Sequence, residues 1–184
     1  GSADAAAALR ALARLRGRAL PRRAAQLALG ADVPVCVDSR PCRMSGVGAQ
    51  LAPVPDLPPI WLVLANPGVA VPTARVFGAL PHSDGASMPA ELPDWEDAAA
   101  LATWLRGQRN DLETPARGLF PAIGAALGAL SGQEGCLIAR MSGSGATCFG
   151  LFADPPAAMA AAETIARDAP AWWVRAAGLA GPVS

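Results

Sequence analysis

Residues 136–152 read Cys136-Leu-Ile-Ala-Arg-Met-Ser-Gly-Ser-Gly-Ala-Thr-Cys-Phe-Gly-Leu-Phe152. Two short runs rich in apolar residues, Cys136–Met141 and Thr147–Phe152, flank Ser142-Gly-Ser-Gly145, which predicts two antiparallel strands joined by a glycine hairpin. The glycines serve either the positive φ of a tight turn or the close approach of backbone to a ligand. Upstream, Ile60–Ala65 is a continuous apolar run ended by Asn66-Pro-Gly68, the pattern of a buried strand and its turn. Pro72–Phe77 reads as a short helix with Thr73 in its first turn. Residues 78–93 read as a long loop in which His82 is a solvated residue. Asp94 is placed to cap a helix bearing Ala98, Leu101, Trp104, Leu105 and Gln108 on one face, and Leu119, Ile123, Leu127 and Leu130 mark another. A helix over Pro156–Asp168 and a strand over Ala171–Ala177 follow. The Trp172-Trp173 pair puts one ring in the core and one at the rim. The order β-α-α-α-β-β-α-β predicts an α+β sandwich with helices on one face of a mostly antiparallel sheet.

Four prolines among the seven residues Pro53–Pro59 mark a linker and divide the chain into units 1–56 and 57–184. In the first unit, Ser2 is placed to cap a helix over Ala3–Leu15 that ends at Gly17. A second helix runs over Arg22–Leu29, Pro34–Val37 reads as a short strand, and Cys42–Val54 reads as a hairpin.

The 184 residues carry 15 basic and 15 acidic side chains, so net charge gives no basic field for nucleic acid or an anionic membrane. Hydrophobic residues make up 52%, ample for a core, and no apolar stretch is long enough to span a bilayer. Four cysteines without a CxxC pair and one His leave no zinc pattern, and the thiols read as reduced, in a cytoplasmic protein. All 15 basic residues are Arg, a usage that a high-GC coding sequence favours. A mechanism that needs a lysine must find it outside these residues.

Four segments can carry chemistry. Gly1-Ser-Ala-Asp4 leads small residues into a helix, whose free N–H groups and dipole suit a phosphate or simply mark a capped end. Asp32, within Leu29-Gly-Ala-Asp-Val-Pro-Val35, either aims a carboxylate into a cleft or closes an Asx-turn. Asn66–Thr73 connects strand to helix tightly, with the Thr73 hydroxyl available to a ligand. The fourth segment is the Ser142–Gly145 hairpin.

In this order and spacing the segments resemble those of the GHMP kinases. Gly1–Ala6 is similar to the tail of that family's glycine-rich ATP loop, with Ala3 where a second Ser is usual. Leu29–Val35, Asn66–Gly68 with Val71–Thr73, Asn110-Asp-Leu-Glu113 and Met141–Phe149 match four further segments. The resemblance implies a GHMP kinase fold: a partial ribosomal protein S5 domain 2-like unit followed by a ferredoxin-like unit. It implies ATP and Mg²⁺ as cofactors, no nucleic-acid or membrane partner, and a small-molecule alcohol as substrate. The Ala-Asp-Val-Pro and Val-Pro-Thr pair points within the family to 4-diphosphocytidyl-2-C-methyl-D-erythritol, phosphorylated on its 2-hydroxyl. By the same resemblance Asp32 is the catalytic base, and Gly1, Ser2 and Ala3 bind ATP. Thr73 approaches the substrate, while Ser142, Gly143, Ser144 and Gly145 line the cleft. The family's upstream lysine-bearing strand and most of its glycine loop have no counterpart in these residues. A noncatalytic fragment or pseudoenzyme of the family, or another GHMP small-molecule kinase, is the alternative.

Overall fold

The computed structural model describes residues 1–46, 48, 50–81 and 87–179, so His82 lies outside the described residues. Two compact units part between Pro55 and Asp56.

Unit 1 is built on α1 (Ser2–Arg16), which Gly17 closes in the left-handed region at φ 59°. Gly1 holds the cap position, and Ser2, expected to be the cap, is the first helical residue. After α2 (Arg23–Leu27) comes α3 (Val33–Asp38), where a strand was expected over Pro34–Val37. The three valines argue for extended chain locally, but tertiary packing overrides them. Val33 and Val37, one helical turn apart, bury together against Ala6 of α1. Pro34 sits in the first turn, where its missing N–H costs nothing. Arg10 Nη1 donates to the Cys36 and Val37 carbonyls at 2.7 and 3.2 Å and so satisfies the free end of α3. The expected hairpin forms as β1 (Cys42–Ser45) and β2 (Gln50–Pro53), paired antiparallel with Cys42 opposite Pro53.

Unit 2 contains β3 (Trp61–Asn66), α4 (Thr73–Gly78), α5 (Ala98–Arg106), α6 (Glu113–Leu119), α7 (Pro121–Ser131), β4 (Ile138–Met141), β5 (Cys148–Phe152), α8 (Pro155–Asp168) and β6 (Trp173–Gly178). The sheet order is β4-β5-β3-β6 and every pairing is antiparallel. Strands β3, β4, β5 and β6 with crossover helices α7 and α8 make the ferredoxin-like arrangement.

Alternation along the strands fixes two faces. Val63, Ala65, Cys148, Phe152 and Val174 join Ile123, Leu127 and Leu130 of α7 and Ala158, Ala161 and Ile165 of α8 in the main core. The opposite face is not bare, as the sandwich with helices on one side required. Ile60, Leu62 and Leu151 point there, and Ala98, Leu101 and Ala102 of α5 cover them with Trp95. A strand that is apolar on both faces needs a cover on both.

The cap of α5 is Asp97, which accepts from the Ala100 N–H at 2.7 Å, and not Asp94. Helix α6 adds a fourth helix between β3 and β4 that apolar spacing alone misses. Its sequence signal is Thr114-Pro115 in the first turn. Trp172 packs against the core, and Trp173 stays exposed, with the Arg175 guanidinium 5.9 Å from its ring.

Cys148 is fully buried, and its thiol is pushed up to about 11, first by burial and then by the Glu113 carboxylate. The chain holds no Lys or Tyr, so no side chain of either type overlaps the Cys148 thiol between about pH 9 and 11. The raised thiol favours the folded state below the unfolded value of 9.0, and this is lost as pH climbs towards 11. Urea midpoints measured from pH 8 to 11 should therefore fall above pH 9, and Cys148→Ala should flatten that fall.

Candidate functional site

Strand register places the chemistry of unit 2. Ala65 pairs with Cys148, and Met141 pairs with the same Cys148 from the other side. The turn after β3 and the hairpin between β4 and β5 therefore emerge at the same end of the sheet. Asn66 joins them: its Nδ2 donates to Thr147 Oγ1 at 2.9 Å, while its Oδ1 accepts the Gly68 N–H at 2.8 Å. The second bond is an Asx-turn that redirects the chain towards α4. Thr73, the first residue of α4, then lies with its hydroxyl 3.0 Å from the Ser144 hydroxyl. Thr73, Ser142, Gly143, Ser144 and Gly145 are thus drawn into one locality from positions about 70 residues apart in sequence.

A third segment meets them. Asn110 Nδ2 donates to the carbonyls of Met141 and Gly143 at 3.1 and 2.8 Å, and Asn110 Oδ1 accepts the Leu112 N–H at 3.1 Å. Glu113 Oε2 accepts the Met141 N–H at 3.3 Å, with the Arg117 guanidinium 3.7 Å from its carboxylate. The motif Asn110–Glu113 is visible in the sequence, but its grip on the hairpin needs the fold. Beside it runs an open groove of about 860 Å³ bordered by Leu80, Gln108, Asn110, Glu113 and Arg140. Arg140 does not face it as a free charge, because its Nη2 donates to the Leu105 and Gln108 carbonyls at 2.7 Å.

The two hairpin glycines do different work. Both have positive φ, 55° at Gly143 and 89° at Gly145. A Cβ on Gly143 would meet nothing within 4 Å, so this residue borders open space. A Cβ on Gly145 would lie 2.9 Å from Ile123 Cδ1 and 3.0 Å from Met141 Sδ, against the core.

In unit 1, Gly1, Ser2 and Ala3 form the start of α1, where the first N–H groups have no helical partner. Asp32 precedes α3 with an exposed side chain that makes no capping bond, so its carboxylate is not consumed by the turn. Close packing supports its backbone: a Cβ on Gly48 would stand 2.8 Å from the Ala31 carbonyl oxygen. A Cβ on Gly30 would be 3.7 Å from Ser2 Oγ, so the start of α1 and the approach to Asp32 are neighbours.

Balanced net charge hides a polarity. Residues 1–55 carry eight Arg against three Asp, and residues 56–184 carry seven Arg against twelve acidic side chains. The unit holding Asp32 and the α1 N-terminus is the cationic one, which suits anionic ligands. Among the described residues, no group of three or more His, Cys, Asp or Glu side chains converges as a metal site. No described helix is long and apolar enough to cross a membrane.

A family model described as "GHMP kinases C terminal" matches residues 89–171. A 4-diphosphocytidyl-2-C-methyl-D-erythritol kinase of Cereibacter sphaeroides is 58% identical over 98% of this chain and 66% of its own length. One from Paracoccus denitrificans is 56% identical over 98% of this chain and 63% of its own length. A crystal structure of 4-(cytidine 5'-diphospho)-2C-methyl-D-erythritol kinase superimposes with a TM-score of 0.76 at 36% identity, covering 98% of this chain and 65% of that one. Homoserine kinase from Cytophaga hutchinsonii shares the fold, with a TM-score of 0.55 at 18% identity over 79% of this chain and 50% of its own. The chain thus spans about 66% of the length of the first of these relatives.

The contrast between the glycines is testable by thermal unfolding. Gly145→Ala should cost about 1–3 kcal/mol, the range for overpacking a core, with left-handed strain added. Gly143→Ala, which carries the strain without the clash, should cost clearly less.

Proposed function

The chain belongs to the GHMP kinases, and on that premise we propose that the protein it forms transfers the γ-phosphate of ATP to the 2-hydroxyl of 4-diphosphocytidyl-2-C-methyl-D-erythritol. This is a step of the non-mevalonate (MEP) route to isoprenoid precursors. The observation that carries the reading is the high identity to kinases of that name over nearly the whole chain, with Asp32 free of its own helix cap.

Phosphoryl transfer asks a protein mainly for positioning and charge neutralisation. In unit 1, Asp32 takes or orients the proton of the attacking hydroxyl, and its carboxylate is available because no capping bond holds it. Gly1, Ser2 and Ala3 offer backbone N–H groups to ATP phosphates at the positive end of the α1 dipole. That end fits an anion, and the surplus of arginines in residues 1–55 favours one further. Mg²⁺, when bound with ATP, would neutralise phosphate charge. In unit 2, Thr73 and Ser142–Gly145 are the candidate substrate contacts. The reading places the protein in the cytoplasm.

A second reading concerns the 184 residues by themselves. They contain no lysine and only the start of α1 as a nucleotide cradle, while the family's transition state needs cationic charge beside the attacking oxygen. Arginine presents that charge on a bulky planar fork and is no simple replacement. The purified 184-residue chain, assayed for ADP release with ATP, Mg²⁺ and the cytidylyl substrate, should therefore show no measurable turnover. Turnover near the ~10 s⁻¹ typical of enzymes would remove the lysine from the mechanism. The same residues extended upstream to the relatives' length should be active. There, Asp32→Asn should lower kcat by roughly 10²–10⁴-fold with an unchanged melting temperature, the range for loss of a general base. Near wild-type turnover in that variant would remove Asp32 from the reaction.

A further inference from the structure

The hairpin that carries Ser142–Gly145 is not wedged in place at its second residue. Gly143 has φ 55° and no neighbour within 4 Å of a would-be Cβ, so no side-chain packing at this position fixes the Gly143–Ser144 peptide. The hairpin's own bonds do not hold that unit. Ser142 N–H donates to the Thr147 carbonyl at 2.9 Å and Gly145 N–H to the Ser142 carbonyl at 3.0 Å, which bracket it on either side. The contact that engages it directly is the 2.8 Å bond from Asn110 Nδ2 to the Gly143 carbonyl.

We infer that Asn110 is a positioning residue that locks the Gly143–Ser144 peptide so that the Ser144 N–H faces away from Asn110, ready to donate to an anionic oxygen of the bound substrate. The inference rests on the kinase reading above and deepens it. In a planar trans peptide the C=O and the following N–H point in opposite directions. Fixing the Gly143 oxygen on Asn110 therefore fixes the direction of the Ser144 N–H. The opposite orientation would present a carbonyl oxygen to an anion and repel it, so the orientation has a sign that matters to binding.

The amide of Asn110 is itself aimed. Oδ1 is occupied by the Leu112 N–H at 3.1 Å, which leaves Nδ2 for the two carbonyls. The two Nδ2 hydrogens are matched to the Met141 and Gly143 oxygens, so the side chain spends its donors and acceptor on one task. Glu113 adds a bond to the Met141 N–H, and Thr73 meets Ser144 through its hydroxyl, but neither engages the Gly143 carbonyl. Asn110 also begins the turn into α6, which ties the hairpin to a helix anchored in the core by Ala116.

The discriminating variant is Asn110→Asp, which has the same shape and keeps the acceptor for Leu112 but loses both donors. On the 184-residue chain, nuclear magnetic resonance reads the lock without any enzyme assay. In the unmodified chain, scalar couplings across hydrogen bonds should link Asn110 Nδ2 to the carbonyl carbons of Met141 and Gly143. Their absence overturns the proposal whatever the variants do. In Asn110→Asp and Asn110→Ala, amide exchange at Ser142 and Gly145 should quicken at least tenfold, with Val63 and Ile165 unchanged. Wild-type exchange at the hairpin would overturn the lock.

In the chain extended to the relatives' length, both variants should raise KM for the cytidylyl substrate about tenfold while the melting temperature holds. Unchanged KM and kcat beside a loosened hairpin would show that the lock does not serve binding. If the unmodified extended chain has no kinase activity, the proposed function fails, and the couplings and exchange rates still decide whether Asn110 holds the peptide.

Discussion

The structure of unit 2 depends on β3 being hydrogen-bonded along both edges. It pairs with β5 from Trp61 to Ala65 and with β6 from Trp61 to Asn66, so both of its neighbours are fixed in register by one strand. A one-residue slip would exchange Val63 and Ala65, which are fully buried, for Leu62 and Leu64 and turn every core contact inside out. The same register delivers the Asn66 turn and the Ser142–Gly145 hairpin to one end of the sheet. Packing that is only about core burial thereby sets the distances on which Thr73 and Ser144 depend.

Around that end, polar side chains do the work that the sheet cannot. Asn66 and Asn110 each use their acceptor on a local N–H and their donor on a partner far along the chain. A neutral amide can do both, whereas a carboxylate can only accept and an ammonium can only donate. Glu113 adds an acceptor for Met141 N–H and helps to keep the adjacent Cys148 thiol protonated. The resulting locality is rigid at its carbonyls and open at Gly143.

Much of this was legible in the residues. Ile60–Ala65, the glycine hairpin and the helix after Asp154 announced themselves by apolar runs and turn chemistry, and their boundaries moved by only a residue or two. Two of the misses had a common cause: local signals were outweighed by partners far away in sequence. Val33, Val35 and Val37 look like strand until Ala6 offers a helical face to the first and third. Helix α5 sits on the second face because Leu62 and Leu151 require cover there, a demand that only the folded sheet reveals. Among the site residues, Asp32 and the hairpin stood out by their flanking Gly and Pro. Asn110 belonged to a recognisable motif, yet its bonds to Met141 and Gly143 span about 30 residues, and no spacing rule encodes them.

The bond from the Leu179 N–H to the Ile60 carbonyl, at 3.2 Å, brings the beginning and the end of unit 2 side by side. They meet at one end of the sheet, where the edge strand β6 lies against the interior strand β3. A body whose ends adjoin is topologically a closed loop with one nick. Such a body can be lifted out, replaced by a relative's counterpart or circularly permuted without rerouting a strand. A cassette of this form allows loops around the hairpin to diversify while the other unit is left alone.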